Sequence, residues 1–136
     1  MNVKTSFVFV DTGAWYALED AGDRWHLAAV RFMQSRPRLI TTNFVIDETI
    51  TLVLSHLGYK AALSIGERLW SGRLAGVARV SQTDEREAWA LFKQYDDKMF
   101  SFTDCTSFVV MKRLGLIRAF AFDDHFTQTG QFIRVP

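Results

Sequence analysis

Short, wholly apolar runs alternate with longer stretches in which apolar residues recur at helical spacing. Ser6 to Val10 reads as a strand buried on both faces, ending at Asp11. Thr12 to Glu19 has helical character, and Trp25, Ala28, Ala29 and Phe32 predict a helix over Arg24 to Gln34, stopped by Arg36-Pro37. A brief strand is expected at Leu39 to Thr42. Asn43 is then a good N-cap for a helix carrying Ile46, Ile50, Val53 and Leu57, and Gly58 is placed to end it. Lys60 to Arg73 continues as helix, Val77 to Ser81 is a strand candidate, and Thr83 is expected to cap a helix over Ala88, Leu91, Phe92 and Tyr95, without a capping box because Arg86 holds the third position on. Thr103 to Leu114 forms the last long helix, ending at Gly115. Arg118 to Phe122 is an apolar strand that stops at Asp123, and Phe132 to Val135 supplies a short final strand. This alternation predicts an α/β fold with a mostly parallel sheet, and no repeat or linker interrupts residues 1–136.

Composition narrows the picture. With 49% hydrophobic and 23% charged residues and two prolines, the chain reads as one soluble globular domain rather than a disordered one. A formal net charge of +1 argues against a basic scaffold that coats nucleic acid through its global field, and the 11 arginines among 16 basic residues form no block. Cys105 stands alone, which excludes an internal disulfide and every multi-cysteine zinc site and fits a reducing cytoplasm. No secretory leader and no membrane span are expected.

Against this background the acidic residues matter. In a parallel α/β sheet, ligands gather beyond the carboxyl ends of the strands. Asp11 and Asp123 follow apolar strands, Asp104 opens a helix, and Glu48 lies in an otherwise apolar row with Phe44 and Leu52. Each has an ordinary explanation alone: turn or N-cap for Asp11 and Asp123, helix-dipole partner for Asp104, solvated face for Glu48. Periodicity barely separates Glu48 from Asp47. If the acids converge, their repulsion calls for a hard divalent cation with oxygen ligands.

Val10-Asp11-Thr12, Asp47-Glu48-Thr49 after Thr41-Thr42-Asn43, Ser101-Phe102-Thr103-Asp104-Cys105 leading into Ser107-Phe108-Val109-Val110-Met111, and Phe122-Asp123-Asp124-His125-Phe126 resemble the ordered motifs of the PIN-domain family, specifically the VapC-type toxin ribonucleases. The resemblance runs from Val8 to about Phe132 and is most specific between Ser101 and Phe126. It implies a three-layer α/β/α fold and places the family's acidic metal-site positions on Asp11, Glu48, Asp104 and Asp123. It further implies Mg²⁺ or Mn²⁺ as cofactor, endonucleolytic cleavage of RNA leaving 5′-phosphate and 3′-hydroxyl ends, a homodimer, and inhibition by a cognate antitoxin protein. A different reading is a PIN-like module that binds RNA or protein without cutting, and a phosphatase-like site is disfavoured because Asp11-Thr12-Gly13 lacks a second acid.

This chain departs from the family pattern in three places. Asp124 adds a charge where a basic or polar residue is usual, Gly13 replaces a serine or threonine, and Gln131 separates Gly130 from Phe132. Thr12 and Thr103 are candidates for hydrogen bonds behind the metal ligands or for helix capping. His26, His56 and His125 lack metal-ligand spacing, with His125 nearest the expected rim, and Cys105 is expected to be a packed core residue.

Overall fold

The computed structural model describes residues 7–136, so Ser6 of the first expected strand lies outside the described residues. A five-stranded sheet in the order β3-β2-β1-β4-β5 is built from β1 (Phe7–Val10), β2 (Arg38–Thr42), β3 (Gly76–Ala78), β4 (Arg118–Phe120) and β5 (Ile133–Val135). Every pairing is parallel. Parallel strands need crossovers, and helices supply them. These are α1 (Thr12–Glu19) and α2 (His26–Met33) between β1 and β2, α3 (Asn43–Leu57) and α4 (Tyr59–Trp70) before β3, α5 (Gln82–Gln94) and α6 (Phe102–Leu114) before β4, and α7 (His125–Gln128) before β5. The expected α/β architecture is therefore present, with helices flanking an all-parallel sheet.

Burial explains the apolar strands. Val8, Phe9 and Val10 of β1 and Ala119 and Phe120 of β4 are buried, and they join Trp15, Val45, Ile46, Ile65, Leu69, Met111 and Phe126 in one core. Trp15 anchors α1 beside the sheet, its indole N–H donating to Thr41 Oγ1 at 3.4 Å, while Thr41 Oγ1 donates to the Val10 carbonyl. Behind α6, Phe108 packs edge-on against Phe100 and Phe126. Among the described residues, no helix is long and apolar enough to cross a membrane.

Several boundaries differ from the sequence expectation for local reasons. α3 is capped by Thr42, whose extended backbone lets its hydroxyl accept from Val45 N–H, whereas Asn43 is already helical and its Oδ1 accepts from Val80 N–H. α5 starts at Gln82 with Ser81 as N-cap, not Thr83, and a capping box is present. Asp84 fills the third position, accepting from Ser81 N–H while its own N–H donates to Ser81 Oγ. Asp reaches back as Glu or Gln would, so a search starting at Thr83 misses the box. α2 begins at His26 rather than Arg24 because Asp20 and Asp23 accept from Gly22 and Trp25 N–H in a turn. β4 ends at Phe120, placing Asp123 on the following turn, and the short α7 was absent from the apolar periodicity. Gly58 and Gly115 end α3 and α6 at φ 92° and 72° as anticipated, in the positive-φ region where a side chain is strained.

Candidate active site

The order of the strands fixes where a site can form. From β1 the chain passes outward to β2 and β3, then returns to the other side of β1 as β4, so the crevice beyond the carboxyl ends of β1 and β4 is the switch point. Asp11 leaves β1 there, its N–H held by the Phe120 carbonyl at 3.1 Å. It occupies the N-cap position of α1, yet its carboxylate is not spent on capping that helix. The side chain is buried, and its pKa is raised well above the ordinary carboxylate value. Burial is the largest cause, followed by the charges of Asp104 and Asp123, with the Thr12 backbone N–H opposing and Glu48 adding to the rise. Asp11 thus lies within electrostatic reach of the other three sequence-selected acids.

Asp104 arrives from the start of α6. Ser101 caps that helix, Asp104 N–H donates to Ser101 Oγ, and Asp104 Oδ2 accepts from Ser101 N–H, each at 2.9 Å. The ordinary capping role is therefore realised, and it fixes the carboxylate's orientation. Its pKa is also raised, first by burial, against the Ser101 N–H bond and the nearby His125, with Asp123 and Glu48 adding to the rise. His125 Nδ1 lies 2.7 Å from Asp104 Oδ2 and 3.7 Å from Asp123 Oδ2, close enough for an ion pair but without the alignment of a hydrogen bond. The imidazole rests edge-on against Phe100.

The two ambiguous choices separate in the fold. Glu48 is half-buried and adds to the electrostatic load on Asp11, whereas Asp47 is exposed. Asp123 is exposed, and its Oδ1 accepts from His125 N–H at 3.0 Å, closing the turn into α7. Asp124 faces a different partner: its Oδ1 is 2.9 Å from Arg134 Nη1, which also donates to the Asp123 carbonyl at 3.1 Å. Arg134 was not singled out in the sequence, because β5 must pair with β4 before this guanidinium reaches the turn. At the same rim, Trp25 stacks on Phe122 with ring centroids 5.2 Å apart, and the Arg24 guanidinium lies 4.5 Å from the Trp25 centroid.

The donor set is all oxygen. Among the described residues, no three His, Cys, Asp or Glu side chains form a finished cage for a metal ion. Three buried hydroxyls without a hydrogen-bond partner accompany the acids: Thr12 Oγ1 follows Asp11, Thr49 Oγ1 follows Glu48, and Ser107 Oγ stands one turn beyond Asp104. Thr12 and Thr103 do not cap helices, since Asp11 and Ser101 hold those positions. Cys105 is fully buried, and burial with the adjacent Asp104 charge pushes its thiol up to about 11, so it is a packed residue and not a nucleophile. His26 and His56 engage the carbonyls of Ala17 and Leu52.

Comparison with known proteins agrees with this fold. The PIN domain family model matches residues 8–131. A 23S rRNA-specific endonuclease of Mycobacterium tuberculosis, VapC20, is 39% identical over 132 residues, covering 94% of this chain and 97% of the relative. A VapC ribonuclease of Archaeoglobus fulgidus is 32% identical over 127 residues, covering 87% and 78%. The crystal structure of Mycobacterium tuberculosis VapC20, described as a sarcin-ricin loop cleaving toxin, superposes with a TM-score of 0.87 at 36% identity over 93% of this chain and 96% of that one. Fold, motif order and near full-length similarity converge: the chain belongs to the PIN-domain family, in its VapC ribonuclease branch.

Proposed function

We propose that residues 1–136 act as one metal-dependent endoribonuclease domain whose site is Asp11, Glu48, Asp104 and Asp123. The observation that carries this reading is Asp11: a carboxylate buried at the switch point among three other acids, with its pKa driven up by burial and their charge. A cluster kept for stability alone would neutralise itself with basic partners, as Asp84 does with Arg113 at 2.8 Å. Instead the acids leave a demand for positive charge.

The residues fit Mg²⁺ or Mn²⁺. Mg²⁺ takes oxygen ligands, keeps several waters and uses only one or two carboxylates directly, so a finished three-residue cage is not required. Thr12, next to Asp11 in the chain, has a buried hydroxyl without a hydrogen-bond partner and would be available to bond behind the ligands of such an ion. When bound, the ion supplies Lewis-acid stabilisation of phosphate charge and acidifies water for in-line attack. Asp11 and Asp104 are the buried ligands, Asp104 being oriented by its bond from Ser101 N–H. Glu48 orients the attacking water, and Asp123 completes the shell from the turn. His125, 2.7 Å from Asp104 Oδ2 and 3.7 Å from Asp123 Oδ2, would position both carboxylates.

VapC20 is named for cutting 23S rRNA, and its structure for cutting the sarcin-ricin loop. We propose the same class of structured rRNA loop as the first substrate for this protein, with a homodimer as the working form and a small antitoxin as inhibitor. Purified protein with Mg²⁺ or Mn²⁺ should cut an RNA hairpin carrying that loop, leaving 5′-phosphate ends. EDTA and Asp11→Asn should each stop the reaction while the protein stays folded. Cutting that survives in Asp11→Asn would overturn the site; RNA binding without cutting under any divalent metal would instead make this a binding module.

A further inference from the structure

Beyond the carboxylates runs a connected row of aromatic rings. Phe44 stands one turn before Glu48 on α3, and its ring meets Phe102 at 6.2 Å. Phe102 opens α6 two residues before Asp104 and meets Trp89 edge-on, also at 6.2 Å. Trp89 lies nearly parallel to Phe92, at 15° and 5.5 Å. The outer members are open to solvent, Trp89 by 53% and Phe92 by 40%. Buried aromatic clusters elsewhere in the chain serve the core, but this row begins at the acid site and ends on the surface. A cavity of about 540 Å³ adjoins Trp89 and Phe92, and Lys93 and Lys98 line it together with Asp96.

We propose that Trp89 and Phe92, supported by Phe102 and Phe44, form a stacking platform for unpaired bases of the substrate RNA next to the scissile phosphate. The proposal deepens the nuclease reading and rests on it. Bases splayed from a loop gain their binding energy by stacking on aromatic faces, and such stacking tolerates sequence. Two features favour RNA over a protein partner. The Phe44–Phe102 contact joins α3 and α6 one turn before Glu48 and two residues before Asp104, so the row starts beside the elements that carry two of the proposed ligands. The rim also offers the Lys93 and Lys98 ammonium groups for phosphates, Lys98 being 3.6 Å from Asp97 and free to exchange that exposed partner. Trp89 touches the substrate without taking part in bond breaking, so it acts on affinity.

The test uses the full chain and the same RNA hairpin, whose loop supplies the unpaired bases. In the Asp11→Asn protein with Mg²⁺, RNA should quench indole fluorescence, and adding Trp89→Leu should remove most of that quenching and raise Kd by about 5- to 100-fold. Trp89→Phe, which keeps a ring, should restore affinity to within about threefold of the parent. Phe92→Leu should weaken binding in the same direction, and because its ring is exposed it serves as the second variant should Trp89→Leu fail to fold by circular dichroism. In the otherwise native enzyme Trp89→Leu should raise KM and leave kcat near its parent value. Unchanged Kd and KM in Trp89→Leu and Phe92→Leu, with wild-type protein still cutting RNA, would overturn the platform alone. Absence of cutting by wild type would overturn the nuclease reading instead. A shift in sedimentation from dimer to monomer with unaltered RNA affinity would assign the surface to a second copy of this chain and also overturn the platform.

Discussion

The Arg134 guanidinium holds the Asp124 carboxylate at 2.9 Å and, through the same nitrogen, the Asp123 carbonyl at 3.1 Å. One residue of β5 thereby neutralises the extra acid that distinguishes this chain and braces the turn carrying Asp123. Asp124 is exposed and turned to an arginine, so it does not simply add a charge to the cluster.

Removing that brace should therefore affect substrate more than stability. An exposed pair of this kind contributes about 0–1 kcal/mol to folding. Arg134→Met frees one negative charge near the phosphate path, worth roughly 0.5 kcal/mol at ~8 Å in water, and should raise KM about two- to threefold at low salt. The effect should shrink at high salt, and Asp124→Asn in the same protein should reverse it. Steady-state cleavage at two ionic strengths checks this; insensitivity to both substitutions would show that the pair does not face substrate.

Asp11→Asn should lower cleavage by about a hundredfold or more, because the charge stabilisation lost is several kcal/mol. In the metal-free protein the same change should raise Tm, by about 3 °C for each ~1 kcal/mol of repulsion relieved. Differential scanning calorimetry in EDTA reads the second effect, which separates a strained functional carboxylate from a structural one whose loss would lower Tm.

The raised pKa values of Asp11 and Asp104 also set the pH response. Groups whose folded pKa lies above the unfolded value contribute stability that is full below the unfolded pKa and is lost as pH rises through the folded pKa. Metal-free protein should thus lose stability as pH climbs from the ordinary carboxylate range, with the slope reduced in Asp11→Asn. Cleavage should run the opposite way, falling as acid protonates these ligands. Higher Mg²⁺ should move that fall to lower pH, because binding the ion displaces the proton. Melting curves and initial rates across the acidic range test both signs.

Added Mg²⁺ should raise the Tm of wild-type protein with its concentration, by about 2.7 kcal/mol of stabilisation at a hundredfold excess over Kd. Asp11→Asn should abolish most of this rise. Titration calorimetry gives the accompanying affinity, and equal stabilisation of both proteins would place the ion elsewhere.

Ser81→Ala provides a contrasting case away from the acids. Losing this N-cap should cost about 1 kcal/mol and leave cleavage unchanged. Asp84 keeps its bonds from Arg113 Nε and Nη2 at 2.9 and 2.8 Å, so α5 stays fastened to α6.

The apolar pattern alone determined the strand-helix alternation, because a strand buried on both faces must be apolar throughout, as Val8-Phe9-Val10 is. It also placed Asp11 at a strand end and Gly58 and Gly115 at helix ends, where backbone geometry is local. Residue order likewise carried the family resemblance, which chose Glu48 over Asp47 where periodicity could not. Tertiary structure decided what depends on distant segments. Pairing of β1 with β4 sets Asp11 beside the turn that bears Asp123, and packing buries Asp11 and Asp104 enough to raise their pKa values. Arg134 meets Asp124 only because β5 adds to β4, and His125 meets Asp104 only because α6 and the turn before α7 share one crevice. Local propensity is written in neighbouring residues, whereas convergence of charge is a property of the folded sheet.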